Sequence, residues 1–171
     1  LDIGCGNGRF LYFMQQLGHQ VYGIEMPGGS ADRAKQITGL TLKLGHLRID
    51  DFEPNTFDAI TLHHVFEHLT EPKKCLEIIC DILKPGGYLV MSFPNIDSIQ
   101  SRIFKGNWFH LDPPRHLFFF TPDDFKKQIA VYGLEVSKEK HFSIEYNPYG
   151  WQQSMLNVFS HKRDVLYEHI K

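Results

Sequence analysis

Between residues 63 and 69 the chain reads His63-His64-Val65-Phe66-Glu67-His68-Leu69, gathering imidazoles and a carboxylate into one short stretch. Histidine changes charge near neutral pH, so it suits removing the proton from a hydroxyl as that hydroxyl attacks. In a helix, His64 and His68 would share a face and Glu67 would stand three residues from His64. His64 or His68 is then the expected base. The same donors suit a divalent transition ion, and His116 could complete such a shell. A metal is the secondary reading and is not expected. The plainest alternative leaves Glu67 and His68 bracing a loop.

A second constellation opens the chain: Asp2-Ile3-Gly4-Cys5-Gly6-Asn7-Gly8-Arg9. Glycines at alternate positions remove the Cβ atoms that would hold a ligand off the backbone, and they reach φ > 0 without steric cost. The dinucleotide fingerprint G-x-G-x-x-G holds a pyrophosphate on its amides and a helix N-terminus. Here Arg9 stands where its third glycine belongs. Asp2, at the strand end, would repel a phosphate and attract an ammonium group, so a ligand with a cationic head fits better than a dinucleotide. A tight strand-to-helix turn with no ligand is the alternative.

Both constellations need elements to hold them. Residues 9–17 space Phe10, Leu11, Phe13, Met14 and Leu17 as a helix does, and Gly18 stops it. A short β-rich run follows at 20–24. Strand, glycine turn, helix and strand begin a doubly wound, Rossmann-like α/β fold, a mostly parallel sheet with helices on both faces and ligands at the carboxyl ends of its strands. Glu25 falls at the end of the second strand, where a carboxylate can accept both hydroxyls of a ribose. The pattern then predicts a helix from about Ser30, strands at 40–44 and 57–62, and a helix from Pro72 through Leu83. A turn at Lys84-Pro85-Gly86-Gly87 precedes a strand at 88–93. After Pro94 the character changes. A short helix at 98–104 leads into a loop at 108–117 rich in aromatics and prolines. Thr121 caps a helix to about Tyr132, a strand is expected from Leu134 to about His141, and two weak helical patterns in 147–171 split near Ser160.

Taken together, these motifs resemble a known family. Asp2-x-Gly4-x-Gly6-x-Gly8 is similar to the glycine-rich motif of class I S-adenosylmethionine-dependent methyltransferases. The order "EHL … LKPGG … PN … W … PRHL … FT … G" resembles the branch that includes ubiquinone-pathway O-methyltransferases and methyltransferases of bacterial glycoconjugate gene clusters. The resemblance runs from Leu1 to about Val136. It implies S-adenosyl-L-methionine as cofactor, S-adenosyl-L-homocysteine as product, and a cofactor site made of Asp2, Gly4, Cys5, Gly6, Gly8, Glu25, Met26, His46, Leu47 and His63. Within that site the glycine loop takes the methionine part, Glu25 the ribose, and His46 or Leu47 the adenine, with Asp50 or Asp51 supplying a polar contact. His64, Glu67, His68 and His116 become the catalytic candidates, and Trp108 and Arg115 the residues facing the acceptor. Relatives with an E-x-x-E-H arrangement use it for a divalent ion; His64 replaces the first Glu here, which weighs against magnesium. The acceptor would be a small molecule or glycoconjugate, methylated at oxygen. Arg115, stiffened by Pro113 and Pro114, suits an anionic one, or else pairs with Asp112 while Trp108 serves the core.

Composition bounds the alternatives. With 171 residues, 42% hydrophobic and 22% charged, the chain has the makeup of a globular domain with a substantial core. A net charge of -2 gives no general attraction to nucleic acid or anionic membrane. No apolar run is long enough to span a bilayer. Three cysteines are too few and odd in number for a disulfide framework, so a reducing, cytoplasmic setting is expected. The chain opens inside a strand, which is expected of a core cut from a longer protein, with residues 1–145 forming that core and 146–171 a C-terminal helical segment. Two other function classes remain: a cofactor-binding protein without catalysis, and a nicotinamide oxidoreductase, which the glycine spacing and Asp2 disfavour. Oligomeric state cannot be read from the sequence.

Overall fold

A computed structural model describes residues 1–143, 146–160 and 164. The chain divides into two compact units, Leu1–Phe93 and Pro94–Lys171. The division falls where the sequence changes character after Pro94, and the boundary expected at 145/146 lies inside the second unit.

The first unit contains β1 (Asp2–Ile3), α1 (Arg9–Gln16), β2 (Gly23–Glu25), α2 (Gly29–Thr38), β3 (Lys43–Leu44), β4 (Phe57–His63), α3 (Pro72–Ile82) and β5 (Leu83–Ser92). The strands form one sheet in the order β3-β2-β1-β4-β5, and every neighbouring pair is parallel. This is the doubly wound sheet expected. Its order reverses between β1 and β4, so a crevice opens at their carboxyl ends, where ligands sit in such folds.

Apolar spacing explains the packing. α3 buries Cys75, Leu76, Ile78, Ile79 and Ile82, and β4 contributes the fully buried Ile60 and Leu62. A second cluster of Cys5, Leu11, Ala31, Ala34 and Leu42 joins α1 and α2 to the glycine turn. Pro72 begins α3, where its missing N–H costs nothing.

One boundary differs from the sequence reading. Lys84-Pro85-Gly86-Gly87 was expected to precede the last strand, yet β5 starts at Leu83, paired with Phe57, and resumes at Tyr88, paired with Ala59. The turn chemistry is real, since Gly86 has φ 77°, but it is spent on a register shift inside the ladder.

The second unit contains α4 (Ile99–Phe104), α5 (Pro122–Ala130) and α6 (Tyr146–Phe159). Ser98 and Thr121 cap α4 and α5 by accepting the amides of Ser101 and Asp124. The strand expected at 134–141 does not form. Its charged half is held by ion pairs instead of a ladder: Glu139 meets Lys126 of α5 at 2.6 Å and His141 at 2.9 Å. α6 accounts for the first of the two C-terminal helical patterns; the second lies almost wholly outside the described residues.

Candidate functional site

The glycine turn joins β1 to α1 across the crevice. Gly4, Gly6 and Gly8 have φ of 71°, 55° and 77°, the left-handed region that glycine enters without cost. The amides of Gly4 and Cys5 both donate to the carbonyl of Ile24, at 2.8 and 3.0 Å, which pins the turn to the end of β2. The three glycines serve different ends. A Cβ on Gly4 would strike Val65, and one on Gly8 would come within 2.9 Å of the Ala34 backbone. At Gly6 a Cβ would meet nothing within 4 Å. The expectation that all three clear space for a ligand is therefore corrected: Gly4 and Gly8 admit the protein's own atoms, and Gly6 alone faces open space.

Asp2 lies beneath this turn, 4% exposed, with Oδ1 accepting the Thr61 hydroxyl at 2.6 Å. Burial raises its carboxyl above the usual aspartate range, against the opposing pull of the Thr61 hydrogen bond and nearby His63. Glu25 ends β2 and is a hub: Oε2 accepts the Gly6 amide at 2.6 Å, Oε1 accepts the Met26 amide at 2.8 Å, and its carbonyl accepts the Gly45 amide at 2.9 Å. The turn after β3, with exposed His46 and half-buried Leu47, thus hangs from the same residue.

Two expectations change here. Cys5 packs its side chain into the α1–α2 cluster, and burial, with Asp2 and Glu25 nearby, pushes its thiol up to about 12; only its backbone can face a ligand. Asp51 is committed elsewhere, to Lys43 at 2.6 Å and to the Arg48 amide at 2.7 Å.

At the end of β4, His63 lies edge-on to Phe10, ring centroids 5.3 Å apart, with Nδ1 3.3 Å from the Ser92 hydroxyl. His64 has φ 54°, and its amide donates to the Ser92 carbonyl at 2.9 Å. Its Nδ1 lies 3.5 Å from Oε1 of Glu67, which is 1% exposed. The helix that would align His64 with His68 does not form: only a single 3₁₀ turn, Phe66–His68, follows, and the left-handed backbone at His64 breaks any α-helical face. The His64–Glu67 pair survives this, and His68 is exposed.

In the second unit, Trp108 is 2% exposed and packs near Phe119 and His110. The acceptor-facing expectation for Trp108 gives way to a core role. Arg115 pairs with Asp112 at 2.7 Å. His116 Nδ1 lies 2.7 Å from the carbonyl of His110 and must donate to it, so the basic nitrogen of the neutral ring is Nε2.

A family model for a methyltransferase domain matches residues 1–139. The chain belongs to the methyltransferase-domain family. Among its relatives, the ubiquinone biosynthesis O-methyltransferases of Ruegeria pomeroyi and Cereibacter sphaeroides are each 29% identical over 166 residues, covering 91% of this chain. The chain spans 66% of the length of these two relatives. That of Paraburkholderia phymatum is 33% identical over 110 residues, 61% of this chain and 47% of the relative. The methyltransferase fold is also seen in solved structures. The YcgJ protein of Bacillus subtilis aligns with a TM-score of 0.65 at 16% identity, covering 95% of this chain and 77% of that one. Magnesium protoporphyrin IX methyltransferase of Synechocystis, solved with bound SAH, aligns with 0.65 at 17% identity, covering 85% and 68%.

Sequence reasoning missed Thr61 and Val65. Thr61 is a hydroxyl inside a β-rich run, and only the parallel register that sets Asp2 beside Thr61 brings it to the carboxylate. Val65 had no signal as the wall behind Gly4. Among the described residues, no helix is long and apolar enough to cross a membrane.

Proposed function

We propose that this chain is the core of an S-adenosylmethionine-dependent methyltransferase that methylates a small-molecule or glycoconjugate acceptor at oxygen. The observation that carries the reading is the open face of Gly6, whose amide donates to the Glu25 carboxylate, in the turn after β1, where the strand order reverses. The residues fit the cofactor. Each Glu25 oxygen has spent one lone pair on a backbone amide and keeps another for a ribose hydroxyl. Asp2 answers an ammonium group, Gly6 lets the methionine part lie on main chain, and Met26, His46, Leu47 and His63 line the rest. When bound, the cofactor supplies a methyl on a sulfonium, activated for in-line displacement, so positioning supplies most of the rate.

His64 is the preferred base. With a proton on Nδ1 facing Glu67, Nε2 takes the proton of the acceptor hydroxyl. His68 and His116 are the other imidazoles of the catalytic set. Arg115 is assigned to an anionic group of the acceptor, and Arg115→Ala should raise acceptor KM; an unchanged KM removes that assignment. Three thiols, two of them buried, accord with a cytoplasmic setting.

Calorimetric titration with S-adenosylmethionine, S-adenosylhomocysteine and NAD, repeated on Asp2→Ala and Glu25→Ala, tests the cofactor. Binding of the first two, lost in the variants, is expected. Binding of NAD alone would overturn the reading in favour of an oxidoreductase. Binding without methyl transfer to any acceptor would favour a non-catalytic binding protein.

A further inference from the structure

Glu25 does more than end β2. Its Oε2 accepts the Gly6 amide at 2.6 Å, a short, charge-assisted hydrogen bond, while Oε1 accepts the Met26 amide at 2.8 Å. The glycines on either side are seated by packing, Gly4 against Val65 and Gly8 against Ala34, but nothing lies within 4 Å of where a Gly6 Cβ would stand. The amides of Gly4 and Cys5 are fixed by the Ile24 carbonyl. Across the tip, at φ 55°, the Gly8 amide donates to the Cys5 carbonyl at 3.0 Å, and the amide of Gly6 itself is held by the Glu25 side chain.

We infer that Glu25 is a positioning residue for the glycine turn as well as the ribose acceptor. The side chain that meets the sugar thus also shapes the surface that takes the amino-acid part of the cofactor. Occupied lone pairs do not prevent this double role, since a carboxylate offers about four acceptor sites and two backbone amides use two of them. The inference rests on the cofactor reading above and adds a coupling between the two halves of that site.

Two ligands separate the roles. S-adenosylhomocysteine carries both nucleoside and amino acid, whereas 5′-methylthioadenosine carries the nucleoside alone. A residue that only binds ribose should, on substitution, cost both ligands the same factor. In Glu25→Ala the loss for S-adenosylhomocysteine should exceed that for 5′-methylthioadenosine by tenfold or more. Glu25→Gln, which has one carbonyl oxygen for two backbone amides, should follow in the same direction and guards against misfolding of the alanine variant. Amide exchange of the ligand-free chain, read by NMR, supplies the second measurement. Gly6 exchange should rise at least tenfold in Glu25→Ala, with Gly4, bonded to the Ile24 carbonyl, unchanged. Equal losses for the two ligands, or unchanged Gly6 exchange, overturn the inference. Were the native chain to bind neither ligand, the cofactor reading would fall, and Gly6 exchange alone would decide whether Glu25 holds the turn.

Discussion

The turns after β1 and β4 end neighbouring strands of one sheet, and both bend through left-handed backbone. After β1 that conformation is given to glycines, at Gly4, Gly6 and Gly8; after β4 it is given to a histidine, at φ 54°. A non-glycine residue there costs roughly 1–2 kcal/mol. Strain of this kind persists where the surroundings fix it, and it gathers at functional sites. His64 is held by its amide bond to Ser92 and by the buried carboxylate of Glu67. The comparison teaches that the first turn is shaped for close approach of main chain, whereas the second keeps an imidazole at a position whose backbone favours glycine.

The comparison breaks most decisively at His64. His64→Ala should lower kcat/KM for methyl transfer by about 10²–10⁴, the range of a lost general base, with S-adenosylhomocysteine affinity changed less than twofold. Chelation with EDTA should leave the native rate unchanged; loss of rate restored by a divalent ion would assign the histidines and Glu67 to a metal. His64→Gly should be as inactive as the alanine variant, yet unfold at equal or higher denaturant, by up to about 1 kcal/mol, as strain is relieved.

Gly4→Ala comes next. A methyl driven into Val65 at a left-handed backbone should destabilise the chain by about 2–4 kcal/mol, read from chemical denaturation. Gly6→Ala meets no neighbour and should cost only about 1–2 kcal/mol, while weakening S-adenosylhomocysteine binding at least tenfold. Equal stability losses at the two positions would erase the distinction drawn between them.

The smallest effect on stability is expected at Asp2. Burial raises its carboxyl above the usual range, so the native state holds the proton to higher pH than the unfolded chain does. Its contribution therefore favours the fold below the unfolded value and is lost as pH rises through the interval up to the raised native value. Asp2→Asn should remove that downward step from a plot of stability against pH, leaving the variant no less stable than the native chain at pH 7, and should weaken cofactor binding. A native stability that climbs with pH through the same interval, with the step absent from the difference between the two proteins, would contradict this account.

Much of the fold and part of the site were legible in the residues. The apolar spacing of α1 and α3, the β-rich run of β4 and the strand–glycine–helix opening are local patterns, set by side-chain period and backbone sterics, and they led to the doubly wound sheet. Glu25 was legible because its place follows from counting one helix and one strand beyond a glycine turn. Where contacts join distant segments, sequence period carried no information. The partnership of Asp2 with Thr61 depends on register, and the division of labour among three identical glycines depends on which one meets Val65, which meets Ala34 and which meets nothing. Cys5 belongs to the same class, a residue inside the motif whose side chain turns to the core.

By itself, then, the sequence determined the alternation of strands and helices, the glycine turn and the chemical types gathered at the strand ends, because propensity and periodicity act within a few residues. Tertiary structure decided that Lys84-Pro85-Gly86-Gly87 would be absorbed into a register shift, that Glu139 would pair with Lys126 and His141 with no strand at 134–141, and that His64 would meet Glu67 without a helix to align them. Those outcomes depend on which groups arrive from elsewhere in the chain to satisfy backbone and charge.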